Sequence, residues 1–278
     1  MEKRIKIDKG KLEDIRRNLN GKGFNLDDIS EEIDANYRNC LYKGTTLSQD
    51  SFKKLRSLFD ESIDYKTIYL IDGSGFHEKI ELEKDIYTAE LVGFMLGDGC
   101  ISAYSQERSD RQVSNYFICI TLHKDEIDIK NRASSLFEKV IGEEPKIESP
   151  DSQKIVNLKL YGKKYVELFE ELGLESGNKV ENQVSVPNWI MDKLKYQKSC
   201  LKGLIDTDGS IYKRGKYPIV NFKNRSKPLL RDFETICENI GLSPSKSGKY
   251  DRQIARQDEV KELITKVKPI KAKKVDLK

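Results

Sequence analysis

The chain of 278 residues has only two histidines, His77 and His123, and a single tryptophan. So little histidine argues against a zinc site, whose usual ligands are imidazoles and paired thiolates. The five cysteines, Cys40, Cys100, Cys119, Cys200 and Cys237, include no C-x-x-C pair. Each lies in an apolar stretch, so the expectation is reduced, buried thiols rather than a disulfide framework. No apolar run approaches the length of a membrane span, and the opening "MEKRIKIDKGKLED" lacks the apolar centre of a signal peptide. These absences point to an intracellular protein, cytoplasmic or of an organelle matrix, with no membrane partner. Any catalytic metal must then be held by oxygen, which points to ions such as Mg2+.

What the chain has in quantity is charge. There are 50 Lys and Arg against 46 Asp and Glu, a net of +4. That is too mild to declare nucleic-acid binding. Its distribution says more: up to Asp85 there are 16 basic against 18 acidic residues, and the remainder carries a net +6.

Residues 1–62 read as a small all-α domain. "KLEDIRRNL" sets Leu12, Ile15 and Leu19 at helical spacing. "NLDDISEEI" sets Leu26, Ile29 and Ile33 on one face, with acids in the first turns where the helix dipole favours them. "ANYRNCLYKG", stopped by Gly44, and "SQDSFKKLRSLF" follow. The third helix resembles the recognition helix of a helix-turn-helix, which would put Tyr37, Arg38, Asn39 and Lys43 near a DNA groove. Residues 63–85 read as a linker with one hairpin.

From residue 86 the chain repeats itself. "LVGFMLGDG" (91–99) and "LKGLIDTDG" (201–209) are both helices that end in Asp-Gly. The first, taken as Glu90–Asp98, is apolar nearly all round and so should be buried on most sides. After each come two strands ("CISAYSQ" and "NYFICITL", then "SIYKR" and "YPIVNFK"), a helix ending in Ile-Gly at Gly142 or Gly241, a second hairpin and a last helix. The order is αββαββα, twice, over 86–187 and 188–278. Gly93 and Gly203 sit mid-helix at matching positions, at a cost of roughly 1 kcal/mol each against Ala. A close approach of the two helices across a pseudo-two-fold axis would offset that cost. It would also bring Asp98 and Asp208 together at helix C-termini, where the dipole disfavours a carboxylate and like charges repel. A divalent cation would reconcile both.

These two stretches resemble the motifs of the LAGLIDADG homing endonucleases. "LKGLIDTDG" departs from the name-motif at Lys202 and Thr207; "LVGFMLGDG" departs more, with Leu96 where the motif's first Asp stands. The resemblance spans roughly 86–278 and implies a duplicated α+β fold in which each repeat's sheet lies along the major groove of double-stranded DNA. It implies Asp98 and Asp208 as metal ligands, helped by the carbonyls of Gly97 and Thr207, in a Mg2+-dependent, site-specific, double-strand endonuclease. It also implies a lysine near the hydrolytic water after each repeat's last helix. The candidates are Lys179 in the first repeat and Lys273 or Lys274 in the second, with Lys124 and His123 near a solvent network.

Strand alternation makes the readout positions explicit. Ile101, Ala103 and Ile211 should face the helices. Ser102, Tyr104, Gln106 and Arg108, then Tyr212, Arg214 and Lys216, should face DNA, with Arg111, Lys223 and Arg225 as phosphate contacts. One chain supplies both half-sites, so the expectation is a monomer on a long asymmetric target. The start and end lack the Cys or Ser and the His-Asn of an intein, which favours a free-standing enzyme. A DNA-binding transcription regulator that does not cut, or an RNA intron maturase, would use the same fold.

Overall fold

The computed structural model describes residues 2–59, 63, 65–71, 75–78, 82–108 and 111–274, and the side chains of 2–3, 65–71, 75–78, 105–108, 111–114 and 274 are outside that description. Two compact units divide the chain, residues 1–80 and 81–278.

The first unit runs β1 (Glu2–Ile7), α1 (Lys9–Gly21), α2 (Leu26–Glu32), α3 (Tyr37–Lys43), β2 (Leu47–Ser48), α4 (Gln49–Leu58), β3 (Tyr65–Ile71), β4 (Gly75–Glu78). It is not the all-α domain expected. Its four strands form one antiparallel sheet in the order β2-β1-β3-β4. The cause lies in the first residues: Ile5 and Ile7 are buried and Lys6 between them is exposed, the period-two pattern of a half-buried strand. The expected hairpin does form, but as β3 and β4 it belongs to this sheet, and the boundary falls at residue 80 rather than 85. The helical readings hold: Leu12, Ile15, Leu19, Ile29 and Ile33 all lie in the core. Asn25 caps α2 in a capping box with Asp28. Tyr37, expected at a DNA groove, is buried instead, and its hydroxyl donates to the Leu12 carbonyl at 2.6 Å.

The second unit contains the duplication. Its first repeat is α5 (Ile86–Leu96), β5 (Gly99–Arg108), β6 (Arg111–His123), α6 (Ile127–Ile141), β7 (Lys146–Glu148), β8 (Ile155–Tyr161) and α7 (Lys163–Glu171). A one-turn helix, α8 (Asn188–Met191), precedes the second repeat: α9 (Leu194–Asp206), β9 (Gly209–Arg214), β10 (Tyr217–Lys223), α10 (Lys227–Asn239), β11 (Ser245–Gly248), β12 (Asp251–Ile254) and α11 (Gln257–Val267). A short 3-10 helix, Ile270–Lys274, follows. The two four-stranded sheets have the same topology, β5-β6-β8-β7 and β9-β10-β12-β11.

Helix α5 starts four residues before the expected Glu90, because Asp85 caps it by accepting from the Tyr87 and Thr88 N–H groups. Every residue from Thr88 to Leu96 is buried, as a helix apolar on all sides must be. Its main partner is α9. A Cβ on Gly93 would stand 3.1 Å from Gly203 Cα, and one on Gly203 would stand 2.8 Å from Phe94 N. The two glycines therefore meet at the contact the spacing predicted. Beside them lies a buried ionic cluster the sequence did not announce. Glu90, 4% exposed, accepts from Arg132 at 2.8 and 2.5 Å and from Lys202 at 2.6 Å. Lys202 is thus a cross-helix partner rather than a solvated flank. Of the cysteines all five are free, but Cys100 is exposed, since it alternates with the inward Ile101 on β5.

Candidate active site at the paired helix ends

Each motif helix stops before its aspartate. Gly97 and Thr207 take matching non-helical conformations, with φ −78°, ψ −97° and φ −106°, ψ −87°. Asp98 and Asp208 then lead into β5 and β9. Adding a Cβ at Gly99 or Gly209 would bring it against the Met95 or Ile205 backbone, so only glycine allows a strand to leave the helix this sharply.

Burial is the main reason the Asp98 carboxyl is pushed up to about 6, and the neighbouring charge of Asp208 adds to it. Lys271 and Lys179 pull the other way. Asp208 is raised too, again by burial, with a hydrogen bond from Asn224 and the same two lysines opposing. The Asn224 Nδ2 donates to Asp208 Oδ2 at 2.6 Å. Lys179 Nζ donates to the carbonyls of Met95 at 3.3 Å, Leu96 at 3.0 Å and Gly97. Burial lowers the Lys179 pKa, against the pull of Asp208 and Asp98.

The second lysine is not the one expected. Lys273 is exposed and its Nζ reaches Asp128, in the first turn of α6, at 3.5 Å; the side chain of Lys274 is outside the described residues. Lys271 takes the place instead. Its Nζ donates to the carbonyls of Thr207 at 2.6 Å and Gly209 at 2.7 Å, and Glu126 lies 4.0 Å away. In a 3-10 helix, with three residues per turn, the side chain two residues on points elsewhere, which composition alone does not reveal. Asp206, also unforeseen, is fully buried, and burial holds its carboxyl up at about 6. Lys124 bonds the Pro150 carbonyl, away from the aspartates, and His123 faces Asp125.

Among the described residues no three His, Cys, Asp or Glu side chains cluster as a metal site. The available donors are two carboxylates and the backbone carbonyls of Gly97 and Thr207, oxygen throughout. That set fits a hard divalent cation, whose charge would relieve two buried carboxylates each driven toward protonation.

The outward positions follow the alternation in part. Tyr104 is 46% and Tyr212 39% exposed, and Arg214, Lys216, Lys223 and Arg225 are exposed; Ser102 is half-buried. Lys216 sits in the β9–β10 turn rather than on a strand. Ala103, expected to face inward, is exposed. Gln106, Arg108 and Arg111 lie on β5 and β6, with Arg108 opposite Arg111, but their side chains lie outside the described residues.

Two αββαββα units, packed through their first helices with an aspartate at the end of each, define a duplicated α+β fold. Residues 195–272 match the LAGLIDADG-like domain. That match covers the second repeat, and the stretch 91–99 of the first repeat resembles the same motif. Among curated proteins it is similar to the tRNA-splicing ligase RtcB of Methanopyrus kandleri, 25% identical over 212 residues, covering 64% of this chain and 20% of that protein. It is also similar to a DNA polymerase of Thermococcus kodakarensis, 24% identical over 179 residues, covering 62% of this chain and 10% of the polymerase. The chain thus spans a fifth or less of these relatives. Among solved structures, variants of the homing endonuclease I-DmoI match 69% of this chain and 98% of theirs at 20% identity and a TM-score of 0.48. A K103A mutant of I-SmaMI matches 70% and 87% at 11% identity and a TM-score of 0.45.

Proposed function

We propose that this protein is a site-specific endonuclease that cuts both strands of double-stranded DNA with Mg2+ or a similar divalent ion. The observation that carries the reading is the meeting of Asp98 and Asp208 at the shared end of α5 and α9, with Lys179 and Lys271 beside both. A purely structural helix end gains nothing from two buried, mutually repelling carboxylates. A divalent ion bound there supplies Lewis acidity and a water of lowered pKa.

The chain's own groups do the rest. The aspartates and the carbonyls of Gly97 and Thr207 hold the ion, and the two ammonium groups stand where negative charge grows on a scissile phosphate. The exposed Tyr104, Tyr212, Arg214, Lys223 and Arg225 meet base edges and phosphates. One chain carries both halves, so the enzyme works as a monomer on a target with unlike half-sites. In the first unit, α2, the turn after it and α3 make a helix-turn-helix whose exposed Arg38, Tyr42 and Lys43 extend the contact with DNA.

The test is incubation with a plasmid library of candidate target sequences in Mg2+, with Ca2+ as control. Linear plasmid with one recovered cut sequence in Mg2+ and none in Ca2+ is the expected result. Tight DNA binding without any cut, in Mg2+ or Mn2+, would assign the fold to a regulator instead.

A further inference from the structure

The two halves of the site are not built alike. Asp206 occupies the position that Leu96 holds in the first motif, and both are buried. Asp206 Oδ1 accepts the Lys271 backbone N–H at 3.0 Å, and the Ile270 N–H also bonds this carboxylate. Its Oδ2 has no hydrogen-bond partner among the described residues. A buried carboxylate with one unsatisfied oxygen destabilises the fold, so its gain must lie elsewhere. What it holds is the backbone of the residue whose ammonium reaches Thr207 and Gly209. In the first repeat that task falls to main chain. The Gly177 N–H donates to the Ile101 carbonyl at 3.0 Å and ties the Lys179 loop to β5.

A second asymmetry is independent of the first. The backbone bonds Thr121 N–H to Asp98 O and Lys223 N–H to Asp208 O align the two repeats. By that register Leu122 stands where Asn224 stands. Leu122 is buried and apolar. Asn224 donates to Asp208 while its Oδ1 accepts the Ser226 N–H at 2.7 Å, so its amide is held in one orientation. Ser226 is in turn the N-cap of α10, and its hydroxyl donates to the Val184 carbonyl at 2.6 Å. No side-chain hydrogen bond reaches Asp98 among the described residues.

We infer that Asp206 and Asn224 are positioning residues for the Asp208 half of the site alone, Asp206 placing Lys271 and Asn224 orienting the Asp208 carboxylate, so that the two DNA strands are cut at unequal rates. The inference about strands rests on the endonuclease reading; the placement of Lys271 and of Asp208 does not. Rigid outer partners of this kind change metal affinity or activity about 10- to 100-fold when lost.

Three measurements on the full chain separate the outcomes. The first is acylation of lysines by a water-soluble ester, read by mass spectrometry. Asp206→Leu should raise the labelling rate of Lys271 about tenfold and leave Lys179 as it was, whereas Asp206→Asn, which keeps Oδ1, should label like wild type. The second is Mn2+ binding: Asn224→Leu should weaken it about tenfold or more and Asp206→Leu should leave it unchanged. The third is strand-resolved cleavage of the recovered target. Wild type should nick one strand faster, and either leucine variant should slow that strand and leave the other unchanged.

Equal labelling of Lys271 in all three proteins, or Mn2+ binding indifferent to Asn224→Leu, would overturn the positioning roles even if cleavage were intact. Equal strand rates in wild type would overturn the inequality. A wild type that cuts nothing would remove the endonuclease reading, and the first two measurements would still decide the placement of Lys271 and Asp208.

Discussion

Thr207 closes over Gly97. A Cβ on that glycine would stand 2.6 Å from Thr207 Cβ, so the two matching motif positions fit here because the one facing Thr207 is glycine. Neither repeat could pair with a copy of itself without losing the bond between Glu90 on one helix and Lys202 on the other.

Bulk at this seam is therefore costly. Gly97→Ala should lower stability by about 1–3 kcal/mol, the usual penalty for overpacking a core, and Thr207→Gly in the same chain should recover most of it. Gly203→Leu should cost at least as much. Chemical denaturation of wild type, the three single variants and the double variant measures both, and additive effects of Gly97→Ala and Thr207→Gly would contradict the contact.

Removing either acid should separate binding from cutting. Asp98→Asn and Asp208→Asn should each abolish double-strand cleavage while DNA affinity stays within about threefold, since neither acid is placed to read bases. The metal-free Asp98→Asn protein should also be more stable than wild type at pH 8, by about 1–2 kcal/mol, because a buried charge beside another has been removed. A variant that still cuts both strands would refute the metal-ligand assignment.

The pH dependence has a definite sign. Asp98 titrates at about 6 in the folded protein against a reference of 3.8. Its folded form binds a proton more tightly than its unfolded form, so metal-free stability falls as pH rises between those values and levels off above them. A divalent ion needs the carboxylates ionised. Mn2+ should raise the melting temperature at pH 7.5 and have little effect at pH 5, a contrast that differential scanning fluorimetry resolves. Equal shifts at both pH values would show that the ion binds elsewhere.

The two lysines of the 3-10 turn should behave differently. Lys271→Met should slow cleavage about 100-fold, the scale of losing one charged stabiliser of a reacting phosphate. Lys273→Met should leave it near wild type, because its partner is the exposed Asp128. Single-turnover rates on the recovered target would show the opposite ranking if the tail were placed otherwise.

The first unit has its own core and sheet. Deleting residues 1–80 should leave a folded protein that still cuts. Its footprint on DNA should shorten at one end only, because this unit occurs once while the repeat occurs twice. The net charge of the first 85 residues is slightly negative, so the loss in affinity should come with little change in salt dependence. An identical footprint for the truncated protein would assign the unit another role.

The duplication, the two Asp-Gly helix ends and the glycine contact were legible in the sequence because each rests on local rules: helical period, strand alternation and a repeated motif 110 residues apart. The β1 strand was equally local, yet "EKRIKI" is too short to stand out beside three clear helices, and its partner Tyr65–Ile71 lies some 60 residues on. What tertiary structure alone decided is which polar group meets which. That Lys271 and not Lys273 reaches the carbonyl of Thr207, that Asp206 holds its backbone, and that Asn224 reaches Asp208 all depend on long-range packing of a tail and a strand end against α9. Sequence spacing carries the direction of a side chain within one element; it carries nothing about the register in which two distant elements dock, and the chemistry of this site is set by that register.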